Sequence, residues 1–278
     1  MNRYFRKKLS KTILYGLAII FVAGSIFPIL WLLLTSFKDR VEIFSIPPIW
    51  FPRLKFDNYV TEFSGNNSRL PFLWNSIKVG LFSTLFTLII GVLAAYGIAK
   101  FPVPGRRHIE FWILSVRMMP PVAVIVPLYL IMRSIKMLDK NAGLIIVHVA
   151  FNLPFVIWIL AGFLRNIPKD IEEAALIDGC NWFQALLRVS FPLAAPGLAT
   201  TSIFSFMFSW NELLAALVLT GRNAKTLPVA ISEYWSNTQI RWEAMAATSV
   251  VHVIPIIIVT FLIQRYIVRG LTMGAVKE

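Results

Sequence analysis

Charge is the scarcest commodity in this sequence. Asp, Glu, Lys and Arg make up 15% of its 278 residues, whereas a soluble domain carries roughly a quarter. That shortage excludes an ordinary soluble enzyme with a solvated surface. Cysteine is nearly missing as well: Cys180 stands alone, so no internal disulfide can form. Signatures of catalysis are absent too. No GxxxxGK[ST] stretch occurs, so ATP cannot be held by a P-loop of this chain. Neither HExxH nor a Cys/His ligand cluster is present, and His108, His148 and His252 lie far apart. GxSxG is missing. The chain is therefore expected not to be an enzyme and to hold no metal or cofactor of its own.

Acidic residues number 14 against 27 Lys and Arg, a formal net charge of +13. Such a balance can signal nucleic-acid binding. Here the basic residues mostly flank apolar runs, where they set membrane orientation instead, and no nucleic-acid partner is expected.

What fills the chain is apolar: 57% hydrophobic and 14% aromatic residues. A bilayer-crossing helix needs about 20 mostly apolar residues, and several such runs are present. Lipid cannot satisfy backbone polar groups, so these runs must be helices. The alternation of a membrane β-barrel does not appear. The expected fold is thus all-α, an integral membrane protein.

The basic stretch "MNRYFRKKLSK" (1–11) precedes a first span, 12–36. This run is too long for a signal-peptide core of about 7–15 residues and is read as a retained span. A polar, turn-rich loop covers 37–70, and the rest of the membrane core covers 71–269. Within it, spans are expected at about 71–99, 109–132 (interrupted by Pro120, Pro121 and Pro127), 143–164 (containing Pro154), 196–220 and 244–266. A charged segment at 165–195 and a polar stretch at 221–243 separate the later spans. A tail, 270–278, closes the chain. Six spans put both termini on one side. Total Lys and Arg barely distinguish the two sides, but five of the first eleven residues are basic, as are three in the short turn 100–108. Short flanks of this kind dominate orientation. Both termini and the 165–195 segment are therefore expected in the cytoplasm.

That segment reads as two short helices. Pro168 suits a first helical turn, with Asp170, Glu172 and Glu173 near the positive end of the helix dipole. Gly179 is placed to end the helix with positive φ. Asn181 is a candidate cap for a second helix, which Pro192 is expected to terminate. Positions 167, 171, 174/175 and 178 share a face that reads Ile, Ile, Ala/Ala, Asp. The alanines leave room for close approach by another surface. A membrane-surface helix would instead carry bulky apolar residues opposite Lys and Arg. On local physics alone, Glu173 either serves such a contact or merely complements the helix dipole, worth about 0.3–1 kcal/mol.

Within this segment, "EAALIDG", nine further residues, then "VSFP" resembles the cytoplasmic signature of ABC-importer permease subunits. That signature is Glu-Ala-Ala, three residues, Gly, nine residues, then Ile-x-Leu-Pro. It falls on Glu173, Ala174, Ala175, Gly179 and Pro192, with Asp178 before the glycine. Val189 and Phe191 depart from it but remain apolar. "FDNY" (56–59), "NS" (75–76), "WNELLAAL" (210–217) and "RGLTMGAVKE" (269–278) are similar to the carbohydrate-importing branch, as in the smaller permease subunit of the maltose-type system. The resemblance implies a six-span bacterial inner-membrane permease that imports a sugar, oligosaccharide or polyol by alternating access. Implied partners are a second permease subunit, two copies of an ATPase that hold ATP and Mg²⁺, and a periplasmic solute-binding protein that could meet 221–243. It further implies that Glu173 contacts a basic residue of the ATPase, that Ala174 and Ala175 pack in its groove, that Gly179 makes the turn, and that Leu271–Lys277 reach the same interface. A non-sugar solute such as a phosphodiester or peptide fits the core motif as well, and a self-contained secondary transporter is the other class left open.

Polar groups inside spans are costly and by default functional. Arg117 and Glu212 are the deepest charges, and a pairing between them is one hypothesis. His148, His252, Asn152 and Asn211 add polarity. Asn152, Trp210, Asn211, Glu212 and Arg117 either line the solute path or bond helices to one another.

Overall fold

The computed structural model describes residues 3–65, 68–235 and 239–273, with side chains described between 11 and 262. In chain order its helices are α1 (Arg3–Ser36), α2 (Arg40–Ile43), α3 (Asp57–Phe63), α4 (Leu70–Lys100), α5 (Arg106–Val116), α6 (Pro121–Ser134), α7 (Asn141–Arg165), α8 (Lys169–Ile177), α9 (Trp182–Ala185), α10 (Phe191–Leu193), α11 (Ala195–Trp210), α12 (Leu214–Leu219), α13 (Leu227–Ser232) and α14 (Trp242–Met273). The fold is all-α. Four helical stretches are long and apolar enough to cross a membrane: 11–36, 70–100, 141–165 and 242–262. Among the described residues two bent pairs pass the same test together, α5 with α6 at 88° and residues 182–193 with α11 at 81°, and counted as one crossing each they bring the total to six.

Several boundaries differ from the sequence expectation, each for a local reason. The first helix begins at Arg3, ahead of the apolar run. The loop 37–70 contains α2, closed by a reciprocal Asp39–Glu42 capping box, and α3. The third span is two helices because neither Pro120 nor Pro121 can donate a backbone N–H, and Pro121 instead opens α6. The fifth run does not continue to residue 220. It stops at Trp210, and the Glu212 carboxylate then accepts the N–H groups of Ala215 and Ala216 to start α12. Pro192 does not end its helix. A π turn at Leu186–Ser190 precedes it, so Pro192 falls in the opening turn of α10, where its missing N–H costs little. The break follows at Ala194. Of the tail 270–278, residues 274–278 lie outside the described residues, as does most of the implied contact at Leu271–Lys277.

The chain forms two compact units, one from residues 1–69 and 231–253, the other from 70–230 and 254–278. In the first, Asn58 of the "FDNY" stretch donates to the carbonyls of Ser36 and Lys38 at 2.9 and 3.0 Å, tying down the end of α1. Glu62 is buried and holds Arg241 at 2.8 Å and Arg69 at 3.6 Å. Tyr234 donates to the same carboxylate. Burial first, and then that carboxylate, push the Tyr234 hydroxyl up to about 12, so it remains a donor at any physiological pH.

The core of the second unit is α4 packed against α7 and α11. Ala95, Val156, Leu160, Ala161 and Leu164 are almost wholly buried there. Its Leu70 end is a polar clasp. Asn75 donates to the carbonyls of Asn223 and Lys225 at 2.8 and 3.0 Å and accepts from Asn141 at 2.9 Å. Ser76 accepts the Leu227 N–H at 2.8 Å. The stretch 221–243, read as polar, also has Leu227, Val229 and Ala230 buried.

Asp139 completes the clasp by accepting the N–H groups of Gly221, Asn223 and Ala224. Burial alone would raise its pKa, but these backbone donors outweigh it and hold the carboxyl below its ordinary value. A depressed folded pKa means stability that is present above about pH 4 and lost as pH falls through the lowered value. Asp139→Asn is therefore expected to lower the thermal midpoint of the purified protein between pH 5 and 8. The gap from wild type should close on acidification, and a pH-independent gap would show that the charge is not the cause.

Candidate functional site

The 168–185 part of the segment folds as the sequence indicates, whereas the helix continues through Pro192. Asp170 and Glu172 sit in the first turn of α8, favourable at a helix N-terminus. Gly179 follows with φ of +90°, a backbone state that only glycine adopts freely. Asn181 and Gln184 form a capping box for α9. Asn181 Oδ1 accepts the Gln184 N–H at 2.9 Å, and Gln184 Oε1 accepts the Asn181 N–H at 3.0 Å.

The two adjacent glutamates have different surroundings. Glu172 is buried, whereas Glu173, Ala174 and Asp178 are exposed. Ala175 is half-buried, so the two alanines do not share one bare surface. Ile177 is 86% exposed and Ile171 44%. Helical spacing places Asp170, Glu173, Ala174 and Ile177 together on the side opposite Glu172. The outward surface is thus a small apolar patch bordered by acids. Ile177, its large apolar member, was missed in the sequence because it falls off the 167/171/174/178 row.

The inward side of the segment is tied to α4. Lys100 and Glu172 form an ion pair of 3.0 Å with side chains 3% and 4% exposed. Lys100 also donates to the Ile167 carbonyl at 2.9 Å, and Ser190 donates to Glu172. Phe101 packs on Trp182 with ring centroids 5.0 Å apart. Sequence reasoning treated Lys100 as an orientation charge and Glu172 as a dipole complement. Their meeting across 72 residues had no local signal.

The polar residues within the spans form two groups. Asn152 donates to Ser209 Oγ at 2.8 Å and to the Ser205 carbonyl at 3.3 Å, and Ser83 joins Ser209 at 2.8 Å. These bonds link α4, α7 and α11. Trp210 is 1% exposed and stacks on Phe206 at 5.4 Å. Both residues are closed into the packing. Glu212 is half-buried, with His148 Nε2 at 3.4 Å, one helical turn before Asn152 on α7. Arg117 has other partners: the Phe151 carbonyl at 3.1 Å and the rings of Phe208 and Phe155 at 4.2 and 5.2 Å. The hypothesised Arg117–Glu212 pair is therefore not formed. Glu212 spends its oxygens on a helix start and on His148, while the Arg117 guanidinium lies between aromatic faces. Asn211 is exposed and donates to the Met207 carbonyl at 2.9 Å.

A family model for the inner membrane component of binding-protein-dependent transport systems matches residues 87–273. The chain belongs to that family. It is a multi-pass inner-membrane protein, the permease component of an ABC importer. The trehalose transport system permease protein of Mycobacterium tuberculosis is 39% identical over 262 residues, covering 92% of this chain and 94% of that one. The sulfoquinovosyl glycerol transport system permease protein of Agrobacterium fabrum is 38% identical, covering 94% of this chain and 92% of that one. Among solved structures, a bacterial ABC transporter involved in import of the acidic polysaccharide alginate superposes with a TM-score of 0.77 at 26% identity, covering 96% of this chain and 98% of that one.

Proposed function

We propose that this permease carries a sugar, oligosaccharide or polyol inward by alternating access, driven by an ATPase that docks on α8. The observation that carries the docking is the division of α8 itself. One face is bonded into the protein through Glu172, and the other presents Glu173, Ala174 and Ile177 to a partner. An apolar side chain as exposed as Ile177, beside an acid at a helix start, suits a groove with a basic residue. ATP and Mg²⁺ belong to two copies of that partner. A second permease subunit completes the pore, and a periplasmic protein delivers the solute. Both termini and α8 lie on the cytoplasmic side in this reading. The carbohydrate assignment draws its support from the saccharide systems named for the relatives.

ATP can shift the permease between conformations only through contacts that differ between them, and α8 offers that contact. Along the solute path, Arg117, Asn211 and Glu212 keep accessible surface. Trp210 and Asn152 then act by holding the helices.

Purification of the assembled transporter tests the proposal. An ATPase and a second permease should accompany this subunit, and proteoliposomes should take up a disaccharide presented by the binding protein only with ATP on the α8 side. Uptake by this chain alone, without the ATPase, would identify a self-contained secondary transporter. Failure of the binding protein to retain any saccharide, with retention of a phosphodiester or peptide, would replace the solute class.

A further inference from the structure

α8 is joined to more than its neighbours in sequence. The buried Lys100–Glu172 pair fastens it to the last residue of α4, and Phe101 against Trp182 fastens α9 to the following residue. α4 lies against both α7 and α11. At its other end it carries the clasp in which Asn75 and Ser76 hold residues 223–227. It is 31 residues long, or about 46 Å at 1.5 Å per residue. Its single proline, Pro71, lies in the first turn, where it does not bend a helix. α6, α7 and α14 each carry a proline in their interior.

From this arrangement we infer that Lys100 and Glu172 are positioning residues of the transport cycle: their ion pair is the joint through which displacement of α8 enters α4. The inference rests on the proposed docking of an ATPase on α8. An ion pair excluded from water resists separation, because parting the charges leaves each buried and unpaired. It therefore behaves as a rigid link and not as a sliding contact. α4 has no interior proline kink to absorb displacement, so movement at Lys100 reaches the 223–227 clasp. A flexible link at the same place would let ATP be consumed while the spans stay still. The joint thus governs the ratio of solute moved to ATP hydrolysed, and not the affinity of either subunit for the other.

The test uses the complete transporter in proteoliposomes and measures ATPase retention, hydrolysis and uptake together. Lys100→Met and the paired variant Lys100→Met/Glu172→Gln should keep the ATPase and hydrolyse within about twofold of wild type, while uptake per ATP falls about five- to tenfold. Lys100→Arg, which keeps charge and donors, should restore the ratio. If the single variant fails to assemble, the paired variant still decides, since it removes both buried charges together. An unchanged ratio in the paired variant overturns the inference. So does a proportionate fall of hydrolysis and uptake, which is what loss of folded protein alone would produce. Glu173→Lys in the same preparation reports on the docking separately. Retention of the ATPase with an unchanged ratio in that variant would dismiss the docking, whatever the Lys100 variants do.

Discussion

Glu173→Lys is expected to leave a folded permease that no longer holds the ATPase proposed to dock on α8. Glu173 is exposed, so reversal of its charge should cost the isolated chain little beyond the helix-dipole term of about 0.3–1 kcal/mol. In the proposed docked state, with a basic residue of the ATPase beside Glu173, the same change sets two positive charges against each other. Like-charge juxtaposition at an interface costs several kcal/mol, equivalent to a fall in affinity of about a hundredfold or more. Uptake should therefore collapse while yield and thermal midpoint stay near wild type. Glu172→Lys gives the opposite signature. It would place a second cation beside Lys100, which is 3% exposed, and the cost of breaking a buried pair, about 3–5 kcal/mol, would fall on folding. Yield and ATPase co-purification measured for both variants check the assignment. Equal behaviour of the two would mean that α8 has no distinct docking face.

Gly91→Leu is expected to prevent correct packing of the second unit. A Cβ at Gly91 would stand 2.6 Å from Cγ1 of Val156, and Val156 is fully buried. Even Gly91→Ala should be unfavourable. The gain in helix propensity is about 1 kcal/mol, against roughly 1–3 kcal/mol for overpacking a filled core. A leucine has no room at all, because α4 and α7 approach each other at this point. Small residues permit such approaches between membrane helices. The decisive variant is Gly91→Ala/Val156→Ala, which removes the colliding methyl groups and should recover thermal stability relative to Gly91→Ala. If Gly91→Ala is already as stable as wild type, the approach of α4 to α7 is looser than described.

Elements governed by neighbouring residues were legible in advance. α8 occupies 169–177, between the Pro168 and Gly179 expected to bound it, and both Gly179 and the Asn181 cap behave as their local chemistry requires. The long runs at 70–100 and 141–165 needed only hydropathy. Pro192 was misread because a π turn at Leu186–Ser190 re-registers the helix before the proline arrives. The single fifth span was misread because Glu212, in sequence merely a buried acid, serves as a helix cap. Arg117 and Glu212 were linked on charge alone, and each is held by other partners: the Phe151 carbonyl and the Phe155 and Phe208 rings for Arg117, a helix start and His148 for Glu212.

By itself the sequence determined that this is a helical membrane protein with six apolar runs and the permease signature at Glu173–Pro192. Both follow from interactions among residues close together in the chain: unbroken apolar length, which only a helix can carry through lipid, and caps and turns that act within a few residues. Only the tertiary structure decided which glutamate faces outward. That depends on Lys100, 72 positions away, coming to lie beside α8. A buried charge takes the orientation that finds its counter-charge, and a linear pattern does not contain that distance.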